Sequence, residues 1–255
     1  MGATLHKLGL KSLCQQPSTT GQKLSKVIKM RKKKGQARAL YPREIKRALK
    51  VCSVTQEPDR NRLILLLSHC CGLRVSELAQ LKIKDVLFPS GKLRDECRLP
   101  GAYAKMKKPR LIWLSHSQLR AAAETYLALR IKRRQATTLD PSQYRGLNPF
   151  GRLILNSRGA SYGMNPKPRT MQDGTVREYW ACDSMERLFR DLYKRGGLTG
   201  ASSHSGRRSM ATNLDEQGVP LETIQRLLGH ADPEHTLPYI EIRQKRIRAA
   251  FADAF

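Results

Sequence analysis

The chain has 255 residues, and its 48 Lys and Arg residues outnumber its 21 Asp and Glu residues, which leaves a formal net charge of +27. A chain of this length with 40% apolar residues can form one sizeable domain with a hydrophobic core. So large a basic excess indicates a polyanionic partner, and nucleic acid is the usual one. An anionic membrane surface would require an amphipathic helix or a lipid anchor, and a basic surface kept for solubility is the remaining alternative.

Membrane, secreted and zinc-binding proteins are disfavoured by the same sequence. No window approaches the run of about 18 apolar residues that a transmembrane helix needs, and no hydrophobic stretch with a cleavage site follows the basic N-terminus. The six cysteines, at positions 14, 52, 70, 71, 97 and 182, form no Cys-x-x-Cys pair and are not grouped with histidines at zinc spacing. We therefore expect a cytoplasmic, nucleoid-associated protein with reduced cysteines, no metal ion, no other cofactor and no membrane contact.

Residues 1–40 are predicted to form a basic N-terminal arm. Residues 21–40 include many lysines and arginines, with Lys32, Lys33 and Lys34 in the densest run, and no acidic residue. Such a run is either solvated and disordered or a nucleic-acid-binding segment. The net charge favours DNA binding.

From Tyr41 onward the hydrophobic pattern predicts one mainly α-helical domain that carries a small antiparallel β-sheet, an α+β fold extending to residue 255. A first amphipathic helix is predicted to begin at Pro42, because proline is tolerated in the first turn. The next helix, over residues 60–70, is predicted to end at Gly72 in the left-handed conformation. A short helix over residues 75–81 follows.

The period of the pattern changes over about residues 83–115, which predicts the small sheet, and a strong helix is predicted over 118–133. Residues 135–180 contain many Pro, Gly, Asn and Ser residues and are predicted to be a loop-rich insertion around one short strand at 153–155. Helices are then predicted over 183–195, 204–216, 220–229 and from Tyr239 to the end, where residues 240–255 form a tail helix.

Four segments carry groups that a phosphoryl-transfer site needs. In the first, CGLRVSELAQL, Arg74 directly follows a helix-ending Gly-Leu and would lie at a helix junction, although such a turn is often only a turn. The second, AKMKKPRLIWLS, places Lys105, Lys107, Lys108 and Arg110 at the basic tip of a predicted β-hairpin. A charged turn on a solvated edge is the alternative there.

The third and fourth segments add histidines and a tyrosine. In SSHSGRRSMATNL, His204 and Arg207 are three residues apart, so a helix places them on one face, and Ser203 can cap the helix start, which suits phosphate. In LLGHADPEHTLPYIEI, His230 and Tyr239 are nine residues apart. Each of these residues taken alone could simply cap a helix or pack in the core. Their joint occurrence is harder to explain in that way.

The order Arg, Lys, His-x-x-Arg, His and Tyr resembles the catalytic domain of the tyrosine recombinases, the family of the phage integrases, over about residues 41–245. The first segment is similar to that family's Thr-Gly-Leu-Arg-x-Ser-Glu-Leu box. The third is similar to its His-x-x-Arg box, and the fourth to its Leu-Gly-His followed nine residues later by the nucleophile. The resemblance implies the tyrosine-recombinase catalytic-domain fold. It also implies a site-specific integrase, resolvase or invertase that cleaves and rejoins DNA through a 3′-phosphotyrosyl intermediate, without metal or ATP.

The resemblance also implies a role for each matching residue. Arg74 and Arg207 would clamp the scissile phosphate, Lys105 would protonate the leaving 5′-oxygen, and Tyr239 would be the nucleophile. His204 would serve proton transfer and phosphate contact, His230 would donate a hydrogen bond to the phosphate, and Glu77 would support its neighbours. The remaining basic side chains are predicted to contact DNA: Lys32, Lys33, Lys34, Lys107, Lys108, Arg110 and Arg208.

The sequence departs from the family pattern in three places. Gly206 and Arg208 stand where the commonest second box has Leu and His. Pro238 directly precedes Tyr239, which predicts that the nucleophile begins a separate helix and leaves open whether it acts in its own subunit or in a neighbour. Residues 1–40 are too few for the family's core-binding domain, so the arm or a partner protein would replace it.

The expected partners are double-stranded DNA, three further copies of the chain in a tetramer on paired sites, and an accessory DNA-bending or core-binding protein. The tail would dock on a neighbouring subunit or on its own core. Two alternatives share part of this pattern. A type IB topoisomerase uses the same tyrosine chemistry, and a DNA-binding regulator could retain the fold without cutting DNA.

Overall fold

The structure is a computed structural model of the chain. The residues it describes are 36–103, 109–171, 173–230, 234, 236–241 and 243. Several predictions fall outside them: the arm with Lys32, Lys33 and Lys34, the hairpin tip with Lys105, Lys107 and Lys108, and the tail helix. The described residues from 37 onward belong to one compact unit.

Four helices open this unit: α1 (Pro42–Cys52), α2 (Pro58–Cys71), α3 (Val75–Gln80) and α4 (Ile83–Val86). Proline occupies the first turn of both α1 and α2, where its missing N–H costs no hydrogen bond. Helix α2 is the central element, because its leucine-rich middle, residues 63–67, is at most 3% exposed. It ends at Gly72 with φ of 59°, as predicted.

The predicted small sheet is confirmed as strands β1 (Glu96–Leu99) and β2 (Arg110–Trp113), which pair antiparallel. Burial alternates along both strands, so that Cys97 and Ile112 face the core. Helix α5 (Ser117–Lys132) follows and packs against α2.

The prediction for residues 135–180 was wrong in two respects. These residues contain a second antiparallel hairpin, β3 (Asn165–Thr170) with β4 (Val176–Ala181), which the sequence pattern did not indicate. Strand β3 reads NPKPRT, and its two prolines are tolerated because a two-stranded hairpin consists of edge strands only. The predicted strand at 153–155 is instead buried chain with isolated bridges, such as Leu155 to Ser161.

The α-helices that follow among the described residues are α6 (Asp183–Arg195), α7 (Ser205–Glu216) and α8 (Leu221–Leu228), close to the predicted ranges. Helix α7 packs against α2, and α8 packs against α7 and β2. The helix predicted to begin at Tyr239 is not found there. Tyr239 ends the 3-10 turn Leu237–Tyr239, and Ile240 is extended with φ of −89° and ψ of 127°. None of the helices among the described residues is long and apolar enough to cross a membrane.

Candidate phosphate-binding site

Arg207, in the first turn of α7, is the centre of the site. Its side chain is only 1% exposed, and it joins the C-terminal ends of two other helices. Nη1 donates to the carbonyl of Gly72, which follows α2, at 2.7 Å, and Nη2 donates to the carbonyl of Leu228, the last residue of α8. Helix C-termini carry unsatisfied carbonyls and partial negative charge, so a buried guanidinium is stabilised there.

Gly206 explains how Arg207 reaches this position. A Cβ added at Gly206 would lie 2.8 Å from the Cβ of Ser68 and 2.9 Å from its carbonyl carbon. Helices α7 and α2 therefore approach each other too closely for any side chain at this point. The close packing of α2 therefore accounts for Gly206 at a position where the family more commonly has leucine.

We expect Gly206→Ala to lower the free energy of unfolding by about 1–3 kcal/mol, because the added methyl group overpacks the contact with Ser68. Urea denaturation would measure this. The matched control is Gly163→Ala, because nothing lies within 4 Å of a Cβ added there. Equal stability of the two variants would contradict the close contact.

A second cluster surrounds Glu77, which is 1% exposed. The carboxylate accepts from the backbone N–H of Arg74 at 2.8 Å and from Arg74 Nη1 at 3.1 Å. It also accepts from Arg110 Nη2 at 2.8 Å. Glu77 thus holds Arg74 at the junction of α2 and α3.

Arg110 has a different environment from the one predicted. The sequence places it among the DNA-contacting side chains, but in the structure it is 7% exposed and directed inward. Besides its bond to Glu77, it donates from Nη1 to the carbonyl of Leu227 at 2.8 Å. It therefore links β2 to α3 and α8 and is not available as a surface cation. The alternation along β2 gave a signal for this, since Arg110 shares a face with the buried Ile112.

The charges of this cluster affect one another. Burial raises the pKa of the Glu77 carboxyl, but the positive charges of Arg110, Arg74 and Arg207 lower it by more, so the net shift is downward. Burial, reinforced by the charges of Arg74 and Arg110, lowers the pKa of the Arg207 guanidinium. Three arginines thus share one buried carboxylate, and the site has an excess of positive charge that an anion can balance.

His230 connects Arg207 to the segment that contains Tyr239. Its Nε2 lies 3.0 Å from Arg207 Nη2, and its Nδ1 lies 2.9 Å from the hydroxyl of Thr236. A guanidinium only donates hydrogen bonds, so Nε2 accepts and the proton is on Nδ1, from which it is donated to Thr236. The contribution of Thr236 was not predicted from the sequence.

Tyr239 lies beside these groups and is half-buried. Its ring centroid is 5.0 Å from that of His230, and the guanidinium carbon of Arg207 lies 5.3 Å from it. The structure therefore brings together five residues from three separate segments of the chain: Arg74, Glu77, Arg207, His230 and Tyr239.

Two further predicted site residues, His204 and Arg208, flank Arg207 in the sequence. His204 precedes α7 and is exposed, whereas Arg207 on the same helix is buried. The prediction that Ser203 caps this helix was wrong, because His204 is at the N-cap position and no side chain caps the helix start. The neighbouring serines stabilise the turn before the helix: Ser202 Oγ accepts from the His204 N–H at 3.4 Å, and Ser205 Oγ accepts from the Ser202 N–H at 2.9 Å.

Arg208 differs from its predicted role in DNA contact, because it is 8% exposed and donates to the carbonyl of Ala37 at 2.7 Å. In the part of the chain that the structure describes, no three His, Cys, Asp or Glu residues are grouped as metal ligands would be.

Comparisons with known proteins agree with the predicted fold. A sequence model described as the phage integrase family matches residues 38–246. The tyrosine recombinase XerA of Pyrococcus horikoshii is 31% identical over 195 residues, which are 76% of this chain and 55% of that protein. This chain thus spans about half the length of that relative.

Two solved structures share the fold. The crystal structure of XerA recombinase superposes with a TM-score of 0.61 at 23% identity, over 85% of this chain and 64% of that one. The post-cleavage complex of the XerH site-specific recombinase with its palindromic difH substrate gives a TM-score of 0.58 at 20% identity, over 84% of this chain and 52% of that one. The predicted mainly helical α+β fold with a small antiparallel sheet is confirmed.

Proposed function

Because this chain belongs to the phage integrase family, we propose that it is a site-specific DNA recombinase that cleaves and rejoins strands through Tyr239. The observation that carries the proposal is that Arg207 and His230 both lie beside the ring of Tyr239, while Glu77 holds Arg74 in the same charged cluster as Arg207. Arginine presents a planar fork of donors that matches phosphate oxygens. A scissile phosphodiester placed among these groups would supply the negative charge that Glu77 alone does not.

The reaction is an exchange of phosphodiester bonds. The Tyr239 hydroxyl oxygen attacks the phosphorus and loses its proton, the bond from phosphorus to the 5′-oxygen breaks, and a 3′-phosphotyrosyl bond remains. A phenol with an ordinary pKa near ~10 is a weak nucleophile at neutral pH, so it must be positioned and relieved of its proton, for which we propose His204. The leaving 5′-oxygen needs a proton, for which we propose Lys105.

Charge stabilisation is the contribution of the arginines. As the phosphorus becomes five-coordinate, negative charge grows on its non-bridging oxygens, and Arg74 and Arg207 would bind them. The Arg207 guanidinium is already oriented by its bonds to the carbonyls of Gly72 and Leu228, so little reorganisation is needed during the reaction. The bond energy is conserved in the phosphotyrosine, so a free 5′-hydroxyl can reverse the reaction without ATP.

The proposed partner is double-stranded DNA, with Lys32, Lys33, Lys34, Lys107 and Lys108 contacting phosphates. Such contacts release counterions, so DNA affinity should fall steeply as salt increases. XerH was solved on its difH substrate, which supports a DNA ligand for the shared fold. We further propose a tetramer on two paired sites, an accessory DNA-bending or core-binding protein, and a place at the nucleoid.

The test is covalent trapping in the presence of a metal chelator. The full chain is incubated with nicked duplexes from the ends of its own genetic element. Because the strand is nicked, the fragment that cleavage releases diffuses away, which prevents rejoining. We expect a protein–DNA adduct on denaturing gels and, after proteolysis, a nucleotide-bearing peptide that contains Tyr239.

Three results would redirect the proposal. Tight DNA binding without any adduct would favour a regulator that retains the fold. Relaxation of any supercoiled plasmid by isolated monomers would favour a topoisomerase. An adduct that forms only after a chelated metal is restored would contradict the metal-free reaction.

A further inference from the structure

The first residues of the compact unit make contacts with α7 that the sequence did not predict. The leading segment, residues 37–41, lies beside this helix. The backbone N–H of Leu40 donates to Ser209 Oγ at 2.8 Å, and Arg208 Nη1 donates to the carbonyl of Ala37 at 2.7 Å. Leu40 itself is fully buried. The leading segment is therefore an integral part of the unit that holds the site.

Glu241, two residues after Tyr239, contacts both the leading segment and α7. Its Oε2 accepts from the backbone N–H of Ala39 at 3.0 Å and lies 3.9 Å from Arg208 Nη2. Its own backbone N–H donates to Thr212 Oγ1 at 3.0 Å, and that buried hydroxyl donates to the carbonyl of Tyr239 at 3.3 Å. A continuous series of hydrogen bonds thus extends from the leading segment to the backbone of Tyr239.

Arg243 makes a parallel connection. It is 8% exposed, and its Nη1 donates to Glu216 Oε2 at 2.5 Å. From Nη2 it donates to the carbonyl of Leu40 at 3.2 Å and to Asn213 Oδ1 at 3.1 Å. Its guanidinium carbon lies 4.3 Å from the ring centroid of Tyr41. Because these partners belong to both α7 and the leading segment, Arg243 joins three parts of the chain.

Tyr239 depends on such contacts more than a helical residue would. It ends a single 3-10 turn and is followed by extended chain, so no ladder of α-helical hydrogen bonds fixes its backbone. Before Tyr239, the buried Thr236 is held by His230. After Tyr239, Ile240 packs against the apolar cluster between α7 and α8, and Glu241 and Arg243 provide the hydrogen bonds to the rest of the unit.

We propose that Arg208, Glu241 and Arg243 form a clasp that positions the nucleophile by fastening the chain after Tyr239 to the leading segment. None of the three would touch the DNA phosphate, so they are positioning residues and not catalytic ones. This inference rests on the proposed recombinase function. Its consequence is that whatever moves the leading segment, such as DNA bound by the basic residues before it, also moves Tyr239.

The kinetic test separates cleavage from rejoining in the full chain. Glu241→Ala and Arg243→Ala should slow adduct formation on the nicked duplex by about 10- to 100-fold, the effect of a nucleophile misplaced by about 1 Å. Rejoining from a preformed adduct, started by adding a strand with a free 5′-hydroxyl, should be unchanged, because the phosphotyrosine bond then holds Tyr239 in place. DNA affinity should also be unchanged.

Two controls distinguish positioning from general stability. Glu241→Gln retains an oxygen that can accept from Ala39 and should recover most of the cleavage rate. Glu124→Ala removes an ion pair to Arg145, far from the clasp in sequence, and should leave both rates as in the parent. Equal slowing of cleavage and rejoining, or a cleavage loss that follows the melting temperature, would overturn the proposal.

A measurement without DNA tests the clasp independently of the proposed function. If no adduct forms, the proposed function fails, but this measurement still decides whether the clasp exists. The 19F NMR signal of 3-fluorotyrosine at position 239 should be a single sharp resonance in the parent. It should broaden or split in Glu241→Ala and Arg243→Ala but not in Glu124→Ala. An unchanged signal in both clasp variants would refute the clasp regardless of activity.

Discussion

Tyr239→Phe is expected to abolish the protein–DNA adduct, with the cleavage rate falling at least about 10⁴-fold, because the substitution removes the attacking oxygen. Folding should be preserved. The ring contacts with His230 at 5.0 Å and Arg207 at 5.3 Å involve the aromatic face, which phenylalanine retains. DNA affinity should therefore stay within about twofold, because the phosphate-binding arginines are unchanged. Denaturing gels and a binding titration at fixed salt would measure the two effects.

Tyr144→Phe is the matched control for this change, because Tyr144 is also half-buried and lies in the 3-10 turn Tyr144–Gly146, outside the site. It should cleave at the parental rate. An adduct that persists in Tyr239→Phe would assign the nucleophile to another residue, and peptide mapping of that adduct would identify it.

Much of the fold was predictable because it depends on local patterns. The helix that ends at Gly72 and the helices later assigned as α6, α7 and α8 follow apolar periodicity and glycine caps, and all are found. The hairpin β3–β4 was missed because NPKPRT contains no alternation of apolar residues and its two prolines argue against a strand. Its pairing is stabilised by β4, which the sequence of β3 alone does not reveal.

The site was predictable in its residue types but not in all of its geometry. Motif spacing identifies Arg74, Arg207, His230 and Tyr239, and the structure brings these four together. The motif spacing does not predict that Arg110 and Arg208 are directed inward. That direction depends on partners such as Leu227 and Ala37, which are more than 100 positions distant in the chain. The same holds for the clasp, where Ala39 and Glu241 are 202 positions apart.

The largest predicted effect on stability concerns Glu77. Glu77→Gln should lower the free energy of unfolding at neutral pH by about 3–5 kcal/mol, because it removes the only carboxylate among the described contacts of the buried Arg110. Arg110 remains charged, with a side chain that is 5% exposed, and the carbonyl of Leu227 compensates its charge only in part. Chemical denaturation of both proteins would measure the difference.

A second substitution tests whether the uncompensated charge is the cause. Combining Glu77→Gln with Arg110→Met removes the buried cation and should recover part of the lost stability, since Met fills a similar apolar volume. Additive losses in the double variant would show that Arg110 and Glu77 act independently, contrary to their 2.8 Å contact.

The pH dependence of the difference in unfolding free energy between the parent and Glu77→Gln gives an independent check. Burial raises the pKa of Glu77, but the surrounding arginines lower it by more, so the folded-state pKa lies below the ordinary value of 4.5. A carboxyl group with a lowered folded-state pKa contributes its full stabilisation above the unfolded pKa and loses it as the pH falls through the folded one. The difference in unfolding free energy between the parent and Glu77→Gln should therefore be constant above about pH 5 and shrink below pH 4.5. A gap that stayed constant throughout acidification would mean that the charge of Glu77 contributes nothing to stability.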